Sequence, residues 1–477
     1  MMISDGLGPA SVSFARTYSQ FLYNHPYDYV LPLDSIHVGQ SRTRSASTLV
    51  TDSAAGATAF SCGLKTYNRA IGVDPKGQPC GTVLESAKFR HGMKTGLVAT
   101  SRITHATPAS FSAHVTDREN ENSIAAQQMG DNPLGRSVDL MFGGGSCHFL
   151  PKSAGGCRSD GRDLLKEAEQ KYGWSVHRNK TDFDALSDDV KLPVMSLFSS
   201  SHMDFEIDRV PEKEPSLTEM SKKALQLLSA ATRNADKGFF LMIEGSRIDM
   251  AAHSNDAAAH LHDILEYQNT IALVKDFVDK NPDTIMISTS DHETGGLSLA
   301  RQVEKKYPKY LWYPDVLAKV KQSTIGLATD ILKNKVPSSE YATLLKERLG
   351  IEDVTEAEIT ALAGRKFPKS LDQYLAEMVS LRAQLGWATH GHSGVDVNLY
   401  AYGKGVDWLH GSHENIEIGH FIERVLDLNL TDITTQLNKN NSQFHISTMS
   451  EEDKLAYNDA LDHYHHNPAN LHHLSYE

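Results

Sequence analysis

Cysteines and long apolar runs are scarce in this sequence. Its 477 residues contain four cysteines, too few for a disulfide scaffold, and no CxxC pair that would indicate a cysteine zinc site. Cys62, Cys80, Cys147 and Cys157 are therefore expected to be buried thiols. One alternative is a disulfide between Cys147 and Cys157, which flank a loop with Gly and Pro, if the protein is lumenal or secreted. No apolar run approaches the roughly 20 residues that a membrane-spanning helix requires.

Basic residues are outnumbered by acidic ones. The chain has 47 Lys and Arg against 60 Asp and Glu, which gives a net charge of -13 at pH 7. Nucleic acids and anionic membrane surfaces bind basic patches, so this balance argues against both as partners. A site that acts on an anion in such a chain would need bound cations to offset the local negative charge.

The first eight residues have the pattern expected at the end of a β-strand. Residues 1–8, MMISDGLG, predict a strand that runs into a Gly-containing loop. We therefore expect the natural protein to have residues before Met1 that complete this strand and include a signal or a membrane anchor. Three sequons, at Asn179, Asn429 and Asn440, give only weak support for passage through the secretory pathway.

Short apolar runs alternate with helical patterns along much of the chain. Runs rich in β-branched and aromatic residues predict buried strands at 95–100, 238–243, 284–289 and 395–401. Apolar residues at three- and four-residue spacing predict helices from Pro215 to about Asn234 and from Ala257 to about Lys280. This alternation predicts an α/β fold, a three-layer sandwich around a large, mostly parallel sheet. In such folds the functional residues gather at the carboxyl ends of the strands.

Two segments depart from this alternation. Residues 301–385 are rich in Lys and Glu, have a helical pattern and contain no convincing strand, so they predict a helical insertion that caps the sheet. Residues 1–300 and 386–446 would then form the α/β core. Residues 447–477 are polar and His-rich, which a frayed surface tail explains more simply than a metal site at His463, His465, His466, His472 and His473.

Metal-ligating residue types recur where the predicted strands end. Asp5 follows the first strand, Glu244 follows the strand at 238–243, and the sequence SDHE at 290–293 follows the strand at 284–289. Asp249 and His253 are four residues apart, so on a helix they share one face and could hold one cation. A fourth cluster, HGHSG at 390–394, directly precedes the strand at 395–401.

Each of these clusters has a commoner explanation when it is taken alone. An Asp at a strand end is usually a helix cap or turn former, and an Asp/His pair at this spacing is usually a solvated helix face. Their coincidence at the ends of successive strands favours a metal site. Carboxylates mixed with imidazoles suit zinc and magnesium.

A candidate nucleophile and a candidate phosphate ligand also stand out. Ser53 lies among small residues in VTDSAAGATA, 50–59, which leave its hydroxyl accessible and let the backbone approach an anion closely. If a helix begins there, its N-terminal amides favour a phosphate at that point, although Ser53 could instead only cap an Ala-rich helix. Arg118 offers two parallel donors that match two phosphate oxygens, although most arginines are surface residues.

Six ordered stretches resemble the alkaline phosphatase family. They frame almost the whole chain through about residue 430: DGLG at 5–8, TDSAAGATA at 51–59, THATPASFSAHVTDR at 104–118, EGSRIDMAAH at 244–253, STSDHETGG at 288–296 and THGHSGVDV at 389–397. DSAAGATA is a specific signal for that family, and the text between the motifs is most similar to its fungal repressible, vacuolar branch. The resemblance implies broad hydrolysis of small phosphomonoesters with inorganic phosphate as product, a homodimer, and a vacuolar or secretory location.

Matching positions imply the roles of individual residues. The resemblance implies two zinc ions and one magnesium ion, with these ligands: Asp249, His253 and His392 for the first zinc, with His390 nearby; Asp5, Ser53, Asp291 and His292 for the second; Asp5, Thr107 and Glu244 for magnesium. His105 occupies the position that in some relatives is an Asp near the magnesium, and it would contribute to substrate binding. Arg118 would bind the substrate phosphate and Asp52 would orient it. Ser53 would attack phosphorus and form a phosphoserine.

Related activities fit the sequence less well. Sulfatases of this fold use a C/S-x-P-x-R motif, and SAAGA at 53–57 lacks both the Pro and the Arg. Phosphodiesterase relatives usually have Thr as nucleophile, and an inactive zinc- or phosphate-binding homologue would not need every ligand. Met250 departs from many relatives, which carry Lys or His there. We therefore expect weaker phosphate binding in this chain, unless Met250 only packs against its helix.

Overall fold

The structure, a computed structural model, describes residues 1–365 and 370–439. Its strands are β1 (Met2–Ile3), β2 (His37–Arg42), β3 (Lys94–Arg102), β4 (Leu140–Gly144), β5 (Ser175–His177), β6 (Val194–Leu197), β7 (Phe239–Glu244), β8 (Met286–Thr289), β9 (Glu293–Thr294), β10 (His392–Ser393), β11 (Val397–Tyr402) and β12 (Gly411–Glu414). Its first ten α-helices are α1 (Pro9–Tyr23), α2 (Ser53–Cys62), α3 (Val83–His91), α4 (Ala106–Ser112), α5 (Glu121–Met129), α6 (Leu164–Tyr172), α7 (Lys180–Asp184), α8 (Leu217–Thr232), α9 (Arg247–His253) and α10 (Ala257–Lys280). The remaining helices are α11 (Pro314–Leu317), α12 (Thr324–Lys333), α13 (Tyr341–Leu349), α14 (Glu356–Gly364), α15 (Leu371–Ala383), α16 (Asn415–Val425) and α17 (Leu430–Lys439).

Ten of these strands form one sheet, in the order β12-β2-β11-β8-β1-β7-β3-β4-β6-β5. Neighbouring strands pair in parallel except at β11, which is antiparallel to both β2 and β8. Strands β9 and β10 form a separate antiparallel ribbon. The predicted α/β fold around a large, mostly parallel sheet is confirmed. Because β11 is reversed, its first residues lie at the same edge as the carboxyl ends of the other strands.

Helices cover both faces of the sheet. Side chains alternate along each central strand, so Met2 and Leu241 pack with α1, α8 and α10 on one side. Ile3 and Met242 pack with α2, α3 and α16 on the other side. The three-layer arrangement follows from this alternation, because both faces of the buried strands are apolar.

The helices predicted from apolar spacing are confirmed to within a few residues. Helix α8 begins with a capping box, in which the Ser216 hydroxyl accepts from the Glu219 amide and the Glu219 carboxylate accepts from the Ser216 amide. Helix α10 begins after Asp256, whose carboxylate accepts from the amides of Ala258 and Ala259. These caps set where each helix starts, while the apolar spacing sets which face is buried.

The segment at 301–385 is helical. Its described residues form α11 to α15 and contain no strand. Leu327, Leu345 and Leu375 join the core that α1 and α10 also line, so these helices extend the helical layer on one side of the sheet. The division into an α/β core and an insertion stays a prediction. The tail at 447–477 and the sequon at Asn440 lie outside the described residues.

Two disulfides link neighbouring segments. Cys147 and Cys157 are bonded, which is the pairing expected for a lumenal protein. Cys62 and Cys80 are also bonded, and the sequence did not predict this because the two are 18 residues apart with no motif between them. This second disulfide joins the end of α2 to the loop that precedes α3. None of the described helices has the length and hydropathy of a membrane-spanning segment.

Candidate active site and metal centre

Four chain segments meet at the carboxyl edge of the sheet. Asp5 follows β1, Glu244 ends β7 and Asp291 follows β8, and these three strands are neighbours with β1 in the centre. His392 reaches the same edge because it precedes the reversed strand β11. The topology therefore brings residues together that are almost 400 positions apart in the sequence.

Asp249, His253 and His392 form a first cluster. Asp249 and His253 lie on one face of α9, with Oδ2 3.3 Å from Nε2. His392 Nε2 lies 3.6 Å from Asp249 Oδ1 and 3.1 Å from His253 Nε2. Two imidazole nitrogens bound to one tetrahedral zinc at about 2.0–2.1 Å would lie about 3.4 Å apart. The three side chains therefore have the spacing of ligands to a single cation.

Backbone carbonyls orient the two histidines of this cluster. His253 Nδ1 lies 2.5 Å from the carbonyl oxygen of His390, and His392 Nδ1 lies 2.8 Å from the carbonyl oxygen of Thr51. A carbonyl can only accept, so each Nδ1 carries a hydrogen, and Nε2 is the ring nitrogen through which each histidine would bind a cation beside Asp249. His390, which the sequence placed near this centre, acts on His253 through its backbone.

Asp5, Asp291 and His292 form a second cluster next to Ser53. His292 Nε2 lies 3.5 Å from Asp5 Oδ1, 3.4 Å from Asp291 Oδ2 and 3.1 Å from Ser53 Oγ. All four side chains are buried. The His292 and His392 rings stack with centroids 3.5 Å apart, which places the two clusters side by side.

The electrostatics of these clusters call for bound cations. Burial and neighbouring carboxylates raise the pKa of Asp5 well above its ordinary value, and burial raises the pKa of Asp291 to about 7 and that of Glu244 to about 8. Burial also opposes ionisation of Asp249, but three nearby histidines outweigh it and hold the pKa of Asp249 well below its ordinary value. Burying several carboxylates together is unfavourable unless cations neutralise them.

Unsatisfied oxygen atoms mark where such cations would bind. Asp5 Oδ1 and Oδ2, Asp291 Oδ2, Glu244 Oε1 and Thr107 Oγ1 are buried and have no hydrogen-bond partner among the described residues. Thr107 is on α4, which follows β3, and is completely buried. Carboxylate and hydroxyl oxygens of this kind suit a hard cation such as magnesium. The donor set therefore fits metal ions.

Ser53 is the first residue of α2. Asp52 is the N-cap, since its Oδ1 accepts from the Ala55 amide at 3.0 Å, so capping is not the role of Ser53. The first-turn amides of α2 and their dipole favour an anion at this point. A Cβ on Gly56 would lie 2.9 Å from the Cβ of Asp291, so this glycine lets α2 approach the loop after β8.

Arg118 lies beside the start of α2. Its Nη1 donates to Asp52 Oδ2 at 3.2 Å, and its Nη2 lies 2.9 Å from His105 Nε2. A guanidinium only donates, so His105 Nε2 is the acceptor and does not carry a hydrogen. The structure thus places Arg118 between Asp52 and His105, with only 3% of its side chain exposed.

Sequence reasoning missed two residues of the site. The Thr294 hydroxyl donates to Asp249 Oδ1 and lies 3.3 Å from His292 Nδ1, so it connects the two clusters. Its position within STSDHETGG was the available signal. Arg69 donates its backbone N–H to Asp52 Oδ2 at 2.8 Å, and its sequence context gave no signal.

Met250 does not belong to the site. It is completely buried and packs in a small apolar cluster whose other members are Phe205, Ala251, Ala259 and Ile325. Its sulfur accepts from Arg247 Nη1 at 2.8 Å. The structure supports the packing alternative, because the Met250 side chain is buried in this apolar cluster.

The fold and the two clusters define a class, the metal-dependent hydrolases of phosphate esters. The family model described as alkaline phosphatase matches residues 1–428. The chain is 50% identical to the alkaline phosphatase of Schizosaccharomyces pombe over 92% of this chain and 82% of that protein. It is 46% identical to the repressible alkaline phosphatase of Saccharomyces cerevisiae over 94% of this chain and 85% of that protein. The chain belongs to the alkaline phosphatase family and is a phosphomonoesterase.

Solved structures agree with this assignment. The cold-active alkaline phosphatase of the psychrophile Shewanella sp. superimposes with a TM-score of 0.76 at 31% identity, over 89% of this chain and 98% of that chain. A variant of the alkaline phosphatase from the Antarctic bacterium TAB5, with Mg bound in its M3 site, has a TM-score of 0.63 at 28% identity. The match covers 90% of this chain and 97% of that chain. The resemblance to the fungal members that the motifs predicted is confirmed.

Proposed function

We propose that this chain hydrolyses a broad range of phosphate monoesters through a covalent phosphoserine at Ser53. The observation that supports this most directly is the position of Ser53 Oγ, at the N-terminus of α2 and 3.1 Å from His292 Nε2. That position combines an anion-binding helix end with the second carboxylate–imidazole cluster. A cation bound in that cluster would lower the pKa of the Ser53 hydroxyl and make it a stronger nucleophile.

We further propose two zinc ions and one magnesium ion as cofactors. The first zinc would be held by Asp249, His253 and His392; the second by Asp5, Ser53, Asp291 and His292; the magnesium by Asp5, Thr107 and Glu244. The unsatisfied oxygens of Asp5, Thr107 and Glu244 support the magnesium assignment, as does the Mg bound in the M3 site of the TAB5 variant. When bound, the ions supply Lewis-acid stabilisation of the attacking and leaving oxygens.

The reaction follows from what the side chains can hold. Arg118 binds two phosphate oxygens, Asp52 and His105 fix its orientation, and the amides of α2 bind the remaining charge. Ser53 Oγ loses its proton and attacks phosphorus, so that a Ser–O–P bond forms while the P–O bond to the leaving group breaks, and the departing oxygen takes up a proton to give the alcohol. Water then adds its oxygen to phosphorus, the Ser–O–P bond breaks, Ser53 Oγ regains a proton and inorganic phosphate leaves. These contacts recognise the phosphate group, which supports broad specificity for the leaving group.

We also propose a homodimer in the vacuolar lumen or secretory pathway. Two disulfides support an oxidising compartment, since disulfides are rare in reducing ones. Asn179 is exposed and would accept a glycan, and Asn429 is partly exposed. The dimer is supported by the family resemblance.

A comparison of three substrates tests the proposed function. p-Nitrophenyl phosphate should be hydrolysed much faster than bis(p-nitrophenyl) phosphate or p-nitrophenyl sulfate. A preference for the diester would instead indicate a phosphodiesterase, and a preference for the sulfate a sulfatase. The same assay on the Ser53→Ala variant provides the background.

A further inference from the structure

Arg69 has an unusual backbone conformation close to the active site. Its φ is 80°, in the left-handed region that residues with a side chain normally avoid. Such a conformation persists only where surrounding contacts determine it, and it is found most often at functional sites. Arg69 lies in the loop between α2 and α3. Hydrogen bonds of both its backbone and its side chain hold it in this conformation.

The backbone of Arg69 contacts both Arg118 and Asp52, the residue whose carboxylate accepts from the Arg118 side chain. Its N–H donates to Asp52 Oδ2 at 2.8 Å, and the same oxygen accepts from Arg118 Nη1 at 3.2 Å. Its carbonyl oxygen accepts from the Arg118 N–H, also at 2.8 Å. The angle φ of Arg69 sets the direction of its carbonyl group relative to its N–H, and both groups are hydrogen-bonded here. One residue thus connects the main chain of Arg118 to the carboxylate that orients the Arg118 side chain.

The side chain of Arg69 contacts the two residues that flank Arg118 in the sequence. Its Nε and Nη2 donate to the two oxygens of Asp117 at 3.1 and 2.9 Å, which is a bidentate pair. Its Nη2 also lies 3.4 Å from Glu119 Oε1. Without this guanidinium, the negative charges of Asp117 and Glu119, on either side of Arg118 in the sequence, would be uncompensated and would oppose the binding of a phosphate.

We propose that Arg69 is a positioning residue for phosphate binding. Its backbone fixes the positions of Arg118 and Asp52 relative to each other, and its guanidinium neutralises the carboxylates of Asp117 and Glu119. It does not itself contact the phosphate. This inference rests on the proposed role of Arg118, and the experiment below separates failure of the one from failure of the other.

The test measures the inhibition constant of inorganic phosphate for the metal-loaded enzyme, together with kcat, KM, melting temperature and metal content. Arg69→Gln should raise the phosphate inhibition constant and KM about three- to fivefold, the size expected for a partly exposed ion pair. Arg69→Lys keeps the charge and should recover part of the loss. Arg69→Gly keeps the left-handed conformation without the side chain, so it gives the measurement if Arg69→Gln does not fold.

A matched arginine serves as the control. Arg162 also bridges two carboxylates, Asp131 and Glu167, and its side chain is 34% exposed against 35% for Arg69. Arg162→Gln should leave both the phosphate inhibition constant and KM unchanged. If the Arg69 variants lower only the melting temperature and leave both constants unchanged, Arg69 is merely structural and the inference is wrong.

A double mutant decides whether Arg69 acts through Arg118. Arg118→Ala alone should raise the phosphate inhibition constant roughly thirtyfold or more, and adding Arg69→Gln should change it little further. If the two effects multiply instead, Arg69 does not act through Arg118 and the inference fails. If Arg118→Ala has no effect on the constant, it is the proposed role of Arg118 that fails.

Discussion

The Nε2 atom of His292 lies 3.1 Å from the nucleophile candidate Ser53 and 3.4 to 3.5 Å from the carboxylates of Asp291 and Asp5. Burial, with a smaller contribution from neighbouring cationic groups, lowers the pKa of His292 well below its ordinary value, so this imidazole is neutral and able to bind a metal. The hydroxyl oxygen of Thr294 lies 3.3 Å from Nδ1, the other ring nitrogen of His292. The proposed metal ligand His292 and the proposed nucleophile Ser53 therefore lie within hydrogen-bonding distance of each other.

Metal removal should lower the stability of the fold as well as the activity. Without cations the buried carboxylates of Asp5, Asp291 and Glu244 are uncompensated, and ligands that bind only the folded state stabilise it. Calorimetry of chelated protein should show a lower melting temperature, and zinc with magnesium should restore it better than either ion alone. An unchanged melting temperature after metal removal verified by mass spectrometry would reject the proposed metal centre.

Asp52→Asn should weaken phosphate binding with little effect on α2. Asparagine is as good an N-cap as aspartate, so the bond to the Ala55 amide is kept. The charge that orients Arg118 is lost, and a charge-assisted bond is worth about 1.5–3 kcal/mol, so the phosphate inhibition constant should rise about tenfold or more. Asp163→Asn, at the N-cap of α6, is the control and should leave the constant unchanged. Equal constants for both variants would show that Asp52 is only a cap.

Met250→Ala should destabilise the protein without changing phosphate binding. The side chain is completely buried, and truncating a buried methionine costs about 2–5 kcal/mol. Chemical denaturation should detect this loss, while Met250→Leu, which conserves volume, should cost less than about 1.5 kcal/mol. A marked change in the phosphate inhibition constant of a fully metallated Met250→Leu variant would show that Met250 does influence the site.

Glu85→Gln should reduce stability in a pH-dependent way. Burial alone would lower the pKa of His114, but the carboxylate of Glu85, 2.9 Å away, raises it above the ordinary value of 6.5. Because the folded-state pKa is the higher one, the stability from this pair is complete below pH 6.5 and is lost as the pH rises through the raised value. The variant should thus lose about 3 kcal/mol at low pH and less at high pH.

The control for that prediction is Glu219→Gln. Glu219 occupies the same capping-box position in α8 as Glu85 does in α3, but its side chain is 47% exposed. Glutamine keeps the acceptor oxygen of the box in both helices. The free energy of unfolding, measured from about pH 5 to about pH 9, should show a pH-dependent difference from the unchanged chain only for Glu85→Gln. Parallel curves for both variants would show that the His114 pair is not responsible.

Sequence patterns predicted the sheet and the strand-end clusters because both depend on local features. Buried strands such as 238–243 are short apolar runs, and Glu244 directly follows that run. The position of His392 depends on topology, since it reaches the site only because β11 is reversed. The order of the family motifs, rather than apolar spacing, linked His392 to Asp249 in the sequence.

Other features could not be predicted because no local pattern encodes them. Nothing in the sequence around Arg69 indicates a left-handed backbone, since only surrounding contacts impose it on a residue with a side chain. The pairing of Cys62 with Cys80 depends on where the end of α2 lies relative to the following loop. The direction of the Met250 side chain depends on how α9 rotates against its neighbours, and spacing to Asp249 does not determine that rotation.

Acid quenching of the metal-loaded enzyme with labelled inorganic phosphate tests the covalent mechanism most directly. At acidic pH and saturating phosphate, peptide mapping should find the label on Ser53, because a phosphoserine formed there is the proposed intermediate. The Ser53→Ala variant should retain phosphate binding and carry no label. Label on a different residue, or no label on folded, fully metallated enzyme under these conditions, would contradict catalysis through Ser53.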